Sequence, residues 1–232
     1  MKLFPVNEDV DRQIELLMVK IRHLRNGETS ELINNSGARY RVNYGVSIVH
    51  LREMAEGVRV DNMLAKRLWH RGVRETMIIA TMVADAENIE LSELEEWGKM
   101  LNTIELSEQM GRNLLSHSAI AEDVLMGWLK SANPFQQYAS AMAIGWRLRG
   151  RGKEGFERLG EIMPIFKNLT EDRKMHRAVG FALKMGGRFD KEYRELIEAT
   201  IGKWLEKGTR NEKIVAGDVK YELDAFFRGP VD

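Results

Sequence analysis

The sequence predicts an all-α protein, and three observations carry that expectation. Leu, Met, Ala, Glu, Lys and Arg abound while only four prolines occur in 232 residues, a balance that favours helix over sheet. Apolar residues recur at helical rather than alternating spacing almost from end to end. Short punctuation separates the periodic stretches: Asn26-Gly27, Gly45, Gly57, Asn133-Pro134, Gly150, Gly186-Gly187 and Gly208. Apolar residues make up 44% of the chain, enough for one large core or a quasi-repetitive array, and no linker or low-complexity segment interrupts it. A single domain over residues 1–232 is expected.

The first expected helix, 9–25, stops at Asn26-Gly27 and is followed by 29–36. Helix 46–56 lies between Gly45 and Gly57, and helices 61–71, 73–85 and 92–102 follow on their apolar stripes. The stretch NTIELSEQ, residues 102–109, opens helix 104–117, with Asn102 and Glu105 spaced as a capping box. Helices 119–131 and 134–149 meet at Asn133-Pro134, where proline suits a first helical turn. Helix 154–168 carries Pro164 inside it and should kink there. Helix 171–186 ends at a glycine pair. In 190–207, Tyr193, Leu196, Ile197, Ile201, Trp204 and Leu205 form one apolar stripe, and 211–228 closes the series. From residue 92 onward the helices pair, with first helices opening near 92, 119, 154 and 190, roughly 27 to 36 residues apart. Such spacing suits a helical-hairpin solenoid, in which each unit buries its face by stacking on the next. A compact irregular helical bundle is the rival architecture.

Composition removes several function classes. Without cysteine there is no disulfide, thiolate metal site or Cys nucleophile, and a reducing compartment fits best. The five histidines show no ligand spacing, so no metal is expected. GRGKEGF lacks the spacing and context of a phosphate loop, no serine sits in an elbow motif, and no nucleotide or other cofactor is implied. No apolar run resembles a signal peptide or a membrane span, which points to a cytoplasmic protein without a membrane partner.

Charge is balanced overall, with 35 basic and 35 acidic residues, which by itself argues against a polyanion partner. Its distribution argues the other way. Residues 1–130 hold 16 Lys/Arg and 20 Asp/Glu, a net of −4, and residues 131–232 hold 19 and 15, a net of +4. Residues 147–188 hold 11 basic and 5 acidic side chains, a basic stretch that chance patchiness also explains.

Three blocks carry a resemblance. LAKRLWHRGVRETMIIATMVAD, through Leu64, Ala65, Leu68, Trp69, Glu75 and Ala80, is similar to the "LA..LW......E.R..A" region of the HEAT-like-repeat DNA alkylation repair family, the alkylpurine DNA glycosylases. NYGVSIVHLREMAE resembles that family's "GVRVPxLRxLAK" helix start at Gly45, Val46, Leu51, Arg52 and Ala55, with Val49 in place of the proline. HRAVGFALKMGG looks like "xKAIGWALREx", matched at Ala178, Val179, Gly180, Ala182 and Leu183. The blocks fall in the family's order across residues 44–187. The resemblance implies an α-α superhelix of HEAT-like helical repeats whose second helices line a concave basic surface for double-stranded DNA. It also implies excision of cationic alkylated purines without a cofactor. Breaking that N-glycosidic bond builds positive charge on the sugar, which a carboxylate and aromatic faces stabilise.

The family supplies these groups from a "WDxxD" turn, an Arg one repeat later and the Trp of "GWALR". Here the turn falls on IELSE, so the aromatic becomes Ile104 and the acids become Glu105 and Glu108. The Arg position falls at Gln137 or Tyr138, neither of which offers a guanidinium, and the last Trp becomes Phe181. Every matched catalytic or lesion-contacting position is altered. If chemistry remains, Glu108 stabilises the sugar cation. The plainer readings are that Glu105 belongs to a helix cap and Glu108 pairs with Arg112 one turn on.

Arg147, Arg149, Arg151 and Lys153 in WRLRGRGK, and Arg173, Lys174 and Arg177 in EDRKMHR, read either as solvated turns or as phosphate contacts. The five tryptophans read as core anchors, while Phe181 and Tyr138 are expected on inner helices facing the groove. The leading reading is a DNA-binding member of this family with base excision in doubt. The alternative is a protein-interaction solenoid with a protein partner and no DNA.

Overall fold

The computed structural model describes residues 4–119 and 122–228. They form an all-α, HEAT-like-repeat fold of thirteen α-helices with short connections, organised as two compact units, Met1–Ala119 and Ile120–Asp232. Among the described residues no helix is long and apolar enough to cross a membrane, and no cluster of His, Asp or Glu could hold a metal ion.

In the first unit, α1 (Glu8–His23), α2 (Gly27–Asn35), α3 (Ile48–Glu56) and α4 (Asn62–His70) begin at Asn7, Asn26, Ser47 and Asp61. Each of those side chains accepts a backbone N–H of the first turn, as the sequence chemistry of caps requires. Helix α5 (Arg74–Val83) packs against α3, α4 and the later helix at Ile104–Gln109 and is buried at nearly every position. The tryptophans of α4 and α6 (Leu91–Met100), Trp69 and Trp97, are fully buried and stacked at 4.6 Å, core anchors as expected.

The expected single helix 104–117 changes character midway: α7 (Ile104–Gln109) runs into a π-helical turn at Met110–Leu115. Its N-cap is Thr103, whose hydroxyl accepts from Leu106 N at 3.1 Å. The expected capping box of Asn102 and Glu105 is therefore corrected: Asn102 lies one residue outside and donates to Arg39 O at 3.1 Å.

In the second unit, three hairpins follow in order: α8 (Glu122–Leu129) with α9 (Pro134–Arg151), α10 (Leu159–Leu169) with α11 (His176–Phe189), and α12 (Lys191–Lys207) with α13 (Arg210–Arg228). The second helices α9, α11 and α13 lie side by side, which is how each hairpin buries its apolar face on the next. Two glycines set the spacing. A Cβ on Gly145 of α9 would sit 2.5 Å from the Phe181 ring, and one on Gly187 of α11 would sit 2.8 Å from Leu223 of α13.

Some boundaries differ from the sequence expectation. Helix α9 continues to Arg151, where Gly152, at φ +56, turns the chain into a 3₁₀ turn at Gly152–Gly155. The following helix starts only at Leu159, and the next opens as a 3₁₀ turn at Arg173–Met175 capped by Asp172. Pro164 sits inside α10 as expected, leaving the carbonyl of Gly160 without its intrahelical donor.

Candidate nucleic-acid interface and acid site

Helix α5 contains RETMIIATMV, in which two adjacent charges enter a buried element. Buried charges require partners. The Arg74 guanidinium bonds Glu75 at 2.9 Å and Val46 O at 2.9 Å, and the Glu75 carboxylate accepts Tyr44 N at 3.1 Å and Val46 N at 3.3 Å. The other edge of the guanidinium grips Glu105 in two parallel bonds, Nε to Oε2 at 2.8 Å and Nη2 to Oε1 at 2.6 Å. The Tyr40 hydroxyl donates to Glu105 Oε2 at 2.9 Å and bonds the Thr103 hydroxyl at 2.8 Å. Burial, reinforced by the Glu105 carboxylate, pushes the Tyr40 phenol well above its usual range. Burial alone lowers the Arg74 guanidinium, but its bonds to Glu105 and the charges of Glu105 and Glu75 outweigh this and hold it higher still.

Glu105 is thus an anchor that fastens the start of α7 to α5, with both oxygens occupied. Ile104 and Glu108 are half-buried on the same helix, Glu108 one turn on from Ile104. Beyond them the π-helical turn brings Asn113 Nδ2 to Thr81 Oγ1 at 3.0 Å and Gln109 Oε1 at 3.1 Å. Such turns are rare and recur at functional sites. Sequence reasoning missed Tyr40, Thr103 and Arg74. The signal was there for Arg74, a charged pair set in an otherwise apolar run.

In the second unit, Gln137 is half-buried and donates to Ser131 O at 2.9 Å, tying down the start of α9. Tyr138 is only 1% exposed, which corrects the expectation that it faces a groove: its ring belongs to the core. The arginines of WRLRGRGK are helical rather than part of a turn. Arg147 is half-buried and donates from Nε to Gly155 O at 2.7 Å; burial first, and then the charge of Arg151, lowers its pKa. Lys153 is held by Glu192 at 2.7 Å, which raises its pKa. Arg149 and Arg151 are exposed on the last turn of α9, where cations also complement the helix dipole.

Trp146 departs from the expected role of a core anchor. It is half-exposed, its ring lies 5.1 Å from that of Phe181, and Arg149 sits over its face at 5.0 Å. Phe181 belongs to a stripe on α11, Arg177, Phe181, Lys184 and Arg188, at spacings that fall on one helical face. Arg173, Lys174 and Arg177 are all exposed where this helix opens. At the other end, Lys184 pairs with Asp218 at 2.7 Å and Arg188 with Glu222, so α13 neutralises the lower part of the stripe. Arg149, Trp146, Phe181 and Arg177 therefore form one part of the second unit where cations and aromatic faces meet solvent together; Arg188 and Arg194 over the exposed rings of Phe226 and Phe227 form another.

The family model for DNA alkylation repair enzyme matches residues 17–218. No curated protein matches the chain. A solved structure is similar in fold, with a TM-score of 0.75 at 20% identity over 90% of this chain and 93% of its own. It is described as representing a new family of proteins related to the HEAT-like repeat DNA glycosylases with affinity for branched DNA structures.

Proposed function

The chain belongs to the DNA alkylation repair enzyme family, and from that premise we propose that it is a DNA-binding HEAT-like-repeat protein, acting in the cytoplasm, in which base excision is weak or lost. The observation that carries DNA binding is the cluster of Arg149, Trp146, Phe181 and Arg177, a cationic and aromatic surface on adjacent second helices. Cations hold a phosphate backbone while exposed rings accept bases that leave the stack. Arg151, Arg173 and Lys174 extend the phosphate-binding part; Arg147, Gln137 and Lys153 shape its supporting turns. The affinity for branched DNA ascribed to the similar solved structure supports DNA with unpaired bases as the ligand. The family match runs through both compact units, which supports treating residues 1–232 as one functional domain.

The weakness of excision follows from the acids. Glu105 is consumed by Arg74 and Tyr40, and Tyr138 is buried, so Glu108 is the remaining carboxylate at the matched turn. It lacks a matched aromatic beside it, since Ile104 stands at that position. A second reading, a protein-interaction surface, draws on the exposed Tyr221, Phe226 and Phe227 of α13.

The deciding experiment is a titration of duplex and branched DNA at several salt concentrations. Each phosphate neutralised contributes about −0.9 to the slope of log K against log[salt], so an overall slope of roughly −3 to −5 is expected. Arg149→Ala and Arg177→Ala should each flatten it by about one phosphate's worth. A flat response, or none of the DNAs binding, overturns the proposal and leaves the protein-interaction reading.

A further inference from the structure

The first unit contains a pocket of about 550 Å³ between α1, α4 and the loop before α3, with no residue of α7 among its lining. The size is that of a small-molecule site. Its walls combine an apolar floor, including Phe4, Ile14, Met18 and Val73, with three guanidinium groups, those of Arg41, Arg67 and Arg71. One carboxylate, Asp11, shares the lining, and it is taken by Arg67.

Local structure builds this charge excess. Val42 and Val73 form a parallel bridge and Arg74 N donates to Val42 O at 2.9 Å, pinning the loop onto the turn between α4 and α5. That turn passes through Gly72 at φ +67, and a Cβ there would lie 3.6 Å from Arg41 Nε. Arg41 folds over the turn and donates from Nη2 to the backbone carbonyl of Arg71 at 2.7 Å, and the side chains of both residues line the pocket. Arg41 makes no ion pair among the described residues. Among the described residues Arg71 has one ion-pair partner, Glu15, at 3.4 Å and largely exposed. Behind them Arg67 is 7% exposed; its Nη atoms bond Asp11 and Pro5 O, and its Nε–H has no hydrogen-bond partner among the described residues. Phe4 caps the site, its ring 5.7 Å from the Arg67 guanidinium and 5.7 Å from the His70 ring.

Juxtaposed guanidinium groups with a surplus of positive charge match a phosphomonoester, which carries close to two negative charges at neutral pH, better than a single-charged phosphodiester. An adjoining floor of aromatic and aliphatic side chains suits a flat base. We propose that this pocket binds the terminal phosphate and first nucleoside of a nucleotide, with Arg41 and Arg71 as the phosphate ligands. The same chemistry exists at the phosphorylated end of a DNA strand and in a free mononucleotide. The strand end is the occupant that rests on the DNA-binding function proposed above.

The test is a fluorescence-anisotropy titration at fixed salt of branched duplexes ending in a 5′-phosphate, a 3′-phosphate or hydroxyls only, alongside calorimetry with deoxyadenosine monophosphate and deoxyadenosine. Expected is about tenfold tighter binding of one phosphorylated end than of the hydroxyl form. Arg41→Gln and Arg71→Gln should each abolish that preference while leaving affinity for the hydroxyl form unchanged, and Arg41→Lys should retain part of it. Thermal melting checks that each variant is folded. If DNA binds and the end makes no difference, and the monophosphate does not bind, the pocket proposal is overturned while the DNA-binding function stands. If no DNA binds, the DNA-binding function falls. Arg41-dependent binding of the monophosphate over the nucleoside then supports the pocket with a free nucleotide as occupant, and its absence overturns the pocket as well.

Discussion

Arg74 holds a tightly constrained position, because one side chain satisfies a carboxylate at 0% exposure, a carbonyl of the loop before α3 and the carboxylate that anchors α7. Removing it leaves Glu75 buried without its cation, and breaking a buried pair from one side costs about 3–5 kcal/mol. Arg74→Met is therefore expected to lower the unfolding free energy by that amount in urea titrations. Arg74→Met with Glu75→Gln should recover part of the loss, since the uncompensated charge is gone. A loss below about 1 kcal/mol for the single variant would show that the network contributes little. Glu105 is the instructive contrast with its neighbour Glu108. The two stand three residues apart on one helix, but Arg74 and Tyr40 reach the first and bind it in place.

Among the helices, close approach is set by the glycines rather than by the large side chains. Gly145 allows Phe181 to lie directly on α9, and a methyl group there would meet the ring and, at 3.1 Å, the Cα of Ala182. Overpacking of this kind costs about 1–3 kcal/mol. Gly145→Ala should destabilise by that amount despite alanine's better helix propensity, and should weaken DNA binding through the displaced ring. Gly150→Ala, where no atom lies within reach of the added methyl, should not destabilise. Parallel thermal melts and DNA titrations of the two variants separate packing from propensity.

Across the molecule, the proposed reading of Ile104, Glu105, Glu108 and Phe181 as altered positions of the family motif carries one expectation. Single-turnover release of 7-methylguanine from alkylated duplex should be at least about a hundredfold slower than in relatives with the aromatic, the short acid and the arginine in place. That corresponds to about 2.7 kcal/mol in the barrier. Ile104→Trp with Glu108→Asp is the restoring variant to compare with the parent. Tyr138 is left alone, because an arginine there would enter the core. Release at the relatives' rate by the parent protein would refute the loss of excision.

Helix content and the hairpin order of the second unit were legible in the sequence, because they depend on residues within a few positions of one another. Asn26 and Asn133 cap helices at the breaks that the punctuation marked, and of the expected stripe on α12 Tyr193, Ile197, Ile201 and Trp204 are buried while Leu196 and Leu205 are half-buried. Tertiary structure decided the rest. Thr103 rather than Asn102 caps α7, because Asn102 is drawn to Arg39 O while Thr103 faces Tyr40. Tyr138 is interior and Trp146 partly open because the packing of α9 against its neighbours, and not helical periodicity alone, fixes which arc of that helix is covered. The fate of three site charges was likewise decided by partners more than thirty positions away: Glu105 by Arg74, Lys153 by Glu192, Arg188 by Glu222. Local sequence carries the propensity and the cap, but only the fold brings distant side chains close enough to decide which charges are spent internally and which face a ligand.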